Sequence, residues 1–232
     1  MTSSGTYNFS LSNGESVISA FERVNVKLPE LRQEHWLTAR RELNLLFIEW
    51  NNKQVNLWKV ELDTIPLVSG TATYTLPQKT ILVLDGYITT NAGSQYGQNN
   101  RYITQLSRTE FSSLSNPNTP GPPTQYWFNR QITPTITFWP VPDSNGPYTF
   151  GYYRAVQIQD ANLPAGETPD LPERWLDALV AGLAHRLSRT YAPNLEALRK
   201  QDAMDAWTVA ASQDIEVVNL SLSPPLQRYY PR

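Results

Sequence analysis

Over the first fifty residues, apolar side chains return every three or four positions, the period of a helix with one buried face. Val17, Ile18, Phe21 and Val24 form a short stripe that ends before Pro29. Ahead of it, Ser12-Asn13-Gly14-Glu15 has the form of a capping box, a hydroxyl at the N-cap and a carboxylate three residues on that reaches back. Trp36, Ala39, Leu43, Leu46, Phe47 and Trp50 make a wider stripe and predict a helix over residues 31–52, with Glu34, Arg40, Arg41, Glu42 and Glu49 mostly opposite. Beyond residue 57 the period changes to two. Runs of Thr, Tyr, Trp, Phe, Ile and Val, broken by Pro and Gly, predict strands at 58–65, 71–76, 81–90, 101–106, 124–131, 134–139 and 147–157. Ser107 to Glu110 predicts one capped helical turn reaching Leu114, and Asp143-Ser144-Asn145-Gly146 predicts a hairpin turn. Four prolines between Ser115 and Pro123 predict an extended, exposed loop.

The helical period returns after Asp170-Leu171-Pro172-Glu173, where an acid and a proline suit a helix start. Trp175, Leu176, Leu179, Val180, Leu183, Ala184 and Leu187 form its stripe, and Ala178, Ala181, Gly182 and Ala184 leave room for a second helix to approach closely. Pro193 opens a further helix carrying Leu195, Leu198, Ala203, Ala206, Trp207 and Ala210. The pattern stops near Val218.

The expected fold class is therefore α+β: a helical bundle formed by the N- and C-terminal helices, an inserted antiparallel β-sandwich or barrel-like domain, and an extended C-terminal tail. The expected divisions are 1–57 (N-terminal helical part), 58–170 (β-rich domain), 171–217 (a C-terminal helical hairpin packing on the N-terminal helices) and 218–232 (tail).

Composition narrows the chemistry. Nineteen Lys+Arg against 21 Asp+Glu leave a formal charge of −2, so the chain is no broadly basic nucleic-acid binder. The absence of cysteine removes disulfides, thiolate nucleophiles and every Cys-based metal site. His35 and His185 are the only imidazoles, read as surface or boundary residues, so no His-rich metal centre or His-dependent triad is expected. Phosphate-binding glycine loops, G-x-S-x-G and H-E-x-x-H are missing, and no cofactor or metal site is expected. Glu61 and Asp63, alternating onto one face of a strand, are the best carboxylate pair for glycoside hydrolysis, with a solvated strand face as the ordinary reading. Asp202 and Asp205 read as plain helix-surface acids. Met1 to Gly5 lacks the basic and apolar runs of a signal peptide, and no run reaches the ~20 apolar residues of a membrane span, so a soluble, unexported chain is expected.

The aromatic wealth between Tyr126 and Tyr153 is the stronger oddity. Alternation sends Trp127, Trp139 and Tyr153 to the face opposite Phe128, Phe138 and Tyr152, so both faces of the sheet want covering, by the chain's own helices or by a neighbouring copy. With only Arg130 and Arg154 nearby, base stacking is a poor reading of these rings.

Three blocks carry a resemblance. The first is Leu43-Asn44-Leu45-Leu46 with Glu49-Trp50 and Val55-Asn56-Leu57-Trp58. The second runs from Pro123-Thr124-Gln125-Tyr126 through Asn129-Arg130-Gln131 and Pro134 to Phe138-Trp139-Pro140-Val141-Pro142. The third is Pro172-Glu173-Arg174-Trp175-Leu176-Asp177-Ala178-Leu179-Val180 with Leu183-Ala184 and Tyr191-Ala192-Pro193. Over roughly residues 12–215 the chain resembles the head–tail adaptors, or tail accessory factors, of short-tailed bacteriophages. The resemblance implies a non-enzymatic virion protein made in the host bacterial cytoplasm. It implies a ring of about twelve copies beneath the portal protein, extending the channel through which genomic DNA passes without sequence-specific binding. A tail tube or nozzle would attach below, and no membrane is involved.

On that reading residues 218–232 are loosely held in the free monomer and order on docking. Leu220, Leu222, Leu226, Tyr229 and Tyr230 would be apolar anchors, and Arg228 and Arg232 would meet acidic portal grooves. Pro120, Pro122, Trp127, Trp139 and Tyr153 would make subunit–subunit or tail contacts. The competing readings are a tail-associated peptidoglycan or glycan hydrolase acting through Glu61 and Asp63, and a tail-tube component that never touches the portal.

Overall fold

In a computed structural model, residues 5–6, 9–54, 56–91, 97–162 and 167–215 are described. The first helix, α1 (Asn13–Arg23), starts where the sequence places its capping box: the Ser12 hydroxyl accepts from the Glu15 backbone N–H at 3.2 Å, and the Glu15 carboxylate accepts from the Ser12 N–H at 2.9 Å. Donation from the Ser12 N–H, and then from its hydroxyl, holds the Glu15 carboxyl below its ordinary pKa. α2 (Gln33–Lys53) spans 21 residues, about 32 Å of rod at 1.5 Å per residue, and buries Ala39, Leu43, Leu46, Phe47 and Trp50. α4 (Leu176–Tyr191), which follows the short α3 (Arg108–Ser112), is buried on nearly every side, including all four of its small residues Ala178, Ala181, Gly182 and Ala184. α5 (Glu196–Ser212) lies against α4 and fully buries only Ala210. α1, α2 and α5 all gather on α4, with Trp175 at the centre, its ring 5.1 Å from that of Trp50 and 4.9 Å from that of Trp58. N- and C-terminal helices thus share one core, because α4 has no polar face wide enough to meet water.

The strands are β1 (Val60–Leu67), β2 (Thr73–Thr75), β3 (Thr80–Thr90), β4 (Asn99–Leu106), β5 (Gln125–Asn129), β6 (Thr135–Trp139) and β7 (Tyr148–Val156), close to the predicted runs. They form one seven-stranded sheet in the order β1-β7-β3-β4-β5-β6-β2. The sheet curls into a half-barrel, so strands far apart in that order share one aromatic interior. Phe150 of β7 meets Phe138 of β6 at 4.9 Å and Tyr126 of β5 at 5.5 Å between ring centroids. Leu76, Val83, Ile88, Ile103, Phe128, Ile136, Tyr148 and Tyr152 complete this second core.

Two expectations are corrected. The sheet is mixed, since β4 and β5 run parallel. Parallel neighbours need a long crossover, and residues 107–124, with α3 among them, supply it. The turn at Asp143 to Gly146 does not close a hairpin, because β7 pairs with β1 and β3 while β6 pairs with β5 and β2. The local chemistry of the turn is still as the residues require: Asp143 Oδ1 accepts from the Asn145 N–H at 3.0 Å and from the Tyr148 hydroxyl at 2.9 Å. One turn sequence thus sets a local bend while the tertiary pairing is decided elsewhere.

Ion pairs tie the layers where the chain crosses between them. Lys59, just before β1, meets Asp170 at 2.8 Å, and the buried Asp214 carboxylate takes Arg174 at 2.8 Å and the Leu57 N–H at 3.1 Å. The Arg186 guanidinium lies between Glu42 (3.3 Å) and Glu49 (2.6 Å) of α2.

Candidate functional site

The outer face of the half-barrel carries a row of large side chains with no layer of described residues over it. Leu62 of β1 lies directly opposite Tyr153 of β7. Tyr87 of β3 lies opposite Gly151 of β7 on one side and Tyr102 of β4 on the other. A β-carbon added at Gly151 would meet the Tyr87 ring at 2.5 Å, so that ring lies flat over the bare backbone of β7. Leu62, Tyr153 and Tyr102 expose 52%, 43% and 64% of their surface, which makes a band across four adjacent strands. Of its members, sequence reasoning singled out only Tyr153. The signal for Tyr87 and Tyr102 was the same alternation, since each is flanked by inward-facing residues (Gly86 and Ile88, Ile103), but the register that joins them to Tyr153 is not local.

Trp127 and Trp139 lie on the same outer face, further along the strand order on β5 and β6, with β3 and β4 between them and Tyr153, and Pro120 and Pro122 belong to the loop beside them. Here the chain partly covers its own rings. Phe111 of α3 stacks on Trp127 at 5.4 Å, and the Trp139 indole N–H donates to the Asn116 carbonyl at 3.0 Å. The proline-rich loop is extended, as expected, but anchored: the Gly121 N–H donates to the Val141 carbonyl at 2.8 Å, and the Val141 N–H to that of Thr119 at 2.9 Å. Pro120 and Pro122 face solvent, while Gly121 and Pro123 are buried.

Glu61 and Asp63 do share a face, and Arg154 fills the space between them. Its guanidinium is 3.2 Å from Glu61 Oε2 and 3.4 Å from Asp63 Oδ2. The Tyr152 hydroxyl also donates to Asp63, at 3.2 Å. Burial, and then the nearby Asp63 charge, pushes the Tyr152 phenol far up, which keeps it a donor. The guanidinium thus takes up the space between the two carboxylates that a scissile bond would need. His35 accepts from the Arg32 N–H through Nδ1 at 3.0 Å and packs on Phe21 and Tyr191. His185 is half-buried with Nε2 3.4 Å from Glu196. Asp202 and Asp205 take intrahelical partners, Arg199 at 2.6 Å and Gln201 at 2.8 Å. Among the described residues no group of three or more His, Asp or Glu is placed to hold a metal ion, and no helix is long and apolar enough to cross a membrane.

The tail residues Leu220, Leu222, Leu226, Arg228, Tyr229, Tyr230 and Arg232 lie outside the described residues. A family model described as "SU10 adaptor protein" matches residues 30–226, taking in α2, the whole sheet and both C-terminal helices. No curated protein matches the chain.

Proposed function

The chain belongs to the SU10 adaptor protein family, a family of phage head–tail adaptors, and from that premise we propose that it forms the ring that joins the portal of a bacteriophage head to the tail. The membership itself makes the chain a structural component of the phage particle. The family match across both layers is the observation that carries the proposal. In the ring, about twelve copies surround a continuation of the DNA channel and offer a platform for the tail tube or nozzle. The formal charge of −2 suits a wall past which DNA slides without adhering.

Two surfaces serve the two kinds of contact. The outer row Leu62, Tyr87, Tyr102 and Tyr153, together with the anchored loop at Pro120 and Pro122, supplies neighbouring copies or the tail with an apolar, weakly charged surface of the kind found at the centre of protein interfaces. Residues 218–232, with two arginines and no acid, supply the portal contact. A chain cut after residue 217 tests the second surface: it is expected to lose capture on immobilised portal while keeping its melting temperature, and undiminished capture would remove the tail from the mechanism. The hydrolase reading has no support in the geometry, because Arg154 occupies the place between its two carboxylates.

A further inference from the structure

α2 and α5 both rest on α4, and each carries an apolar stripe on the side that looks away from it. On α2 the stripe is Leu37, Leu45 and Ile48, all exposed, opposite the buried Ala39, Leu43, Leu46 and Trp50. On α5 it is the exposed pair Leu198 and Val209, turned away from Trp207 and Ala210. The two stripes match in spacing. Leu37 and Ile48 are eleven residues apart, as are Leu198 and Val209, and eleven residues make three turns, or about 16 Å. Arg41 lies four residues after Leu37, and Asp205 four residues before Val209. Neither charge is answered by its own chain. Arg41 makes no ion pair or hydrogen bond among the described residues, and no acid stands three or four residues from it. Asp205 takes only the neutral Gln201 amide, at 2.8 Å. Asp202, the other acid of that face, is already held by Arg199 at 2.6 Å.

We propose that α2 of one copy docks antiparallel on α5 of the next, head to tail, with Leu37 against Val209, Arg41 against Asp205 and Ile48 against Leu198. This rests on the ring reading and names a contact between its subunits. The two faces cannot meet within one chain, because each turns away from the α4 that the helices share. They meet between copies. Each copy gives its α2 face to one neighbour and its α5 face to the other, so the contact propagates instead of closing on a pair. Charge sets the direction. A parallel register would put Arg41 opposite Asp202, whose carboxylate Arg199 already occupies, whereas the antiparallel one gives it Asp205. Apolar side chains at both ends of the stripes leave water together, and the single ion pair between them fixes the register. Residues 218–232 do not suit the α2 face, since they have no acid to offer Arg41.

The chain has no cysteine, so single cysteines at these exposed positions report the contact without background. Full-length Leu37→Cys is mixed with full-length Val209→Cys under copper–phenanthroline oxidation, which traps even a short-lived contact. The mixed disulfide is expected at least about tenfold faster than from Leu37→Cys with Leu198→Cys, because only the first pair brings the two sulfurs within bonding range. Arg41→Glu in the first chain is expected to slow the reaction about threefold or more, and Asp205→Arg in the second to restore it, a compensation that a folding defect would not give. Leu37→Cys/Val209→Cys in one chain is expected to build a ladder of trimers, tetramers and longer species. Equal rates for the two pairs, charge reversals without effect, or a doubly substituted chain that stops at dimers would overturn the proposal. The ring reading survives those results if the wild-type chain still forms a large particle with portal. A wild-type chain that stays at 26.3 kDa beside portal removes the ring and this contact with it.

Discussion

Leu46 of α2 rests on the bare backbone of Gly182 in α4: a β-carbon at 182 would meet the two Leu46 methyl carbons at 3.0 and 3.1 Å. Both residues are buried, so neither can swing into solvent. Gly182→Val is therefore expected to push α2 off α4 and cost about 1–3 kcal/mol, the usual penalty of overpacking. Denaturant midpoints check it. Adding Leu46→Ala to Gly182→Val should restore part of the loss, because the two residues share one space. Strict additivity would mean that the helices are not in contact here.

Arg154 lies between the carboxylates of Glu61 and Asp63. Arg154→Leu leaves Glu61 and Asp63 facing each other without the cation between them. Because both acids are at least a third exposed, water screens much of the repulsion, and a loss of about 1 kcal/mol is expected. Zymograms on peptidoglycan should be blank for the wild-type chain and for Glu61→Gln alike. A cleared band that Glu61→Gln abolishes would establish the hydrolase.

Acid should weaken the fold first through His185. Burial disfavours its charged form, and the hydrogen bond to Glu196 only partly offsets this, so its pKa lies below the ordinary 6.5. On acidification below 6.5 the unfolded chain takes up a proton that the folded chain does not. The contribution is full above 6.5 and is lost as pH falls through the folded value. Glu49 adds to this further down. Burial would raise its pKa, but hydrogen bonds from Lys53 and Arg186 outweigh that and hold it below 4.5, so its contribution is present above 4.5 and lost beneath the folded value. Urea midpoints at about pH 7.5 and 5.5 should fall with acid in the wild-type chain and fall less in His185→Gln. Equal falls would contradict the assignment.

The outer row should matter for association and not for folding. Tyr102 is 64% exposed, so Tyr102→Asp is expected to change stability by no more than about 0.5 kcal/mol. Tyr102→Asp/Tyr153→Asp should nevertheless reduce self-association measured by sedimentation. Trp139→Ala behaves differently, because Trp139 holds the Asn116 carbonyl and with it the proline-rich loop, so it should lower the melting temperature. Unchanged sedimentation of the tyrosine pair would take that face out of the subunit interface.

How much of this was legible in the chain follows from how local each signal is. The capping box at Ser12, the stripe from Ala39 to Trp50 and the alternation that buries Phe138 and leaves Thr137 and Trp139 only partly buried are all decided within a few residues, and each is found where the pattern puts it. The small side chains of α4 announced a close approach, and Leu46 makes it at Gly182. Strand order is different. The Asp143 turn has the side chains of a hairpin, yet β6 and β7 find other partners, because pairing is set by which strands curl to share Phe150 and Phe138. The parallel β4–β5 pair and the outer row both arise from such long-range placement. The Arg154 clamp does too: Glu61 and Asp63 were visible as a pair, and the cation between them comes from a strand more than ninety residues away.

The account rests on assembly, and the mass of the purified chain with and without purified portal protein tests that most directly. Light scattering coupled to size exclusion should show a species larger than the 26.3 kDa chain together with portal, holding many copies of the chain per portal assembly. A chain that elutes at 26.3 kDa whether or not portal is present would contradict the account.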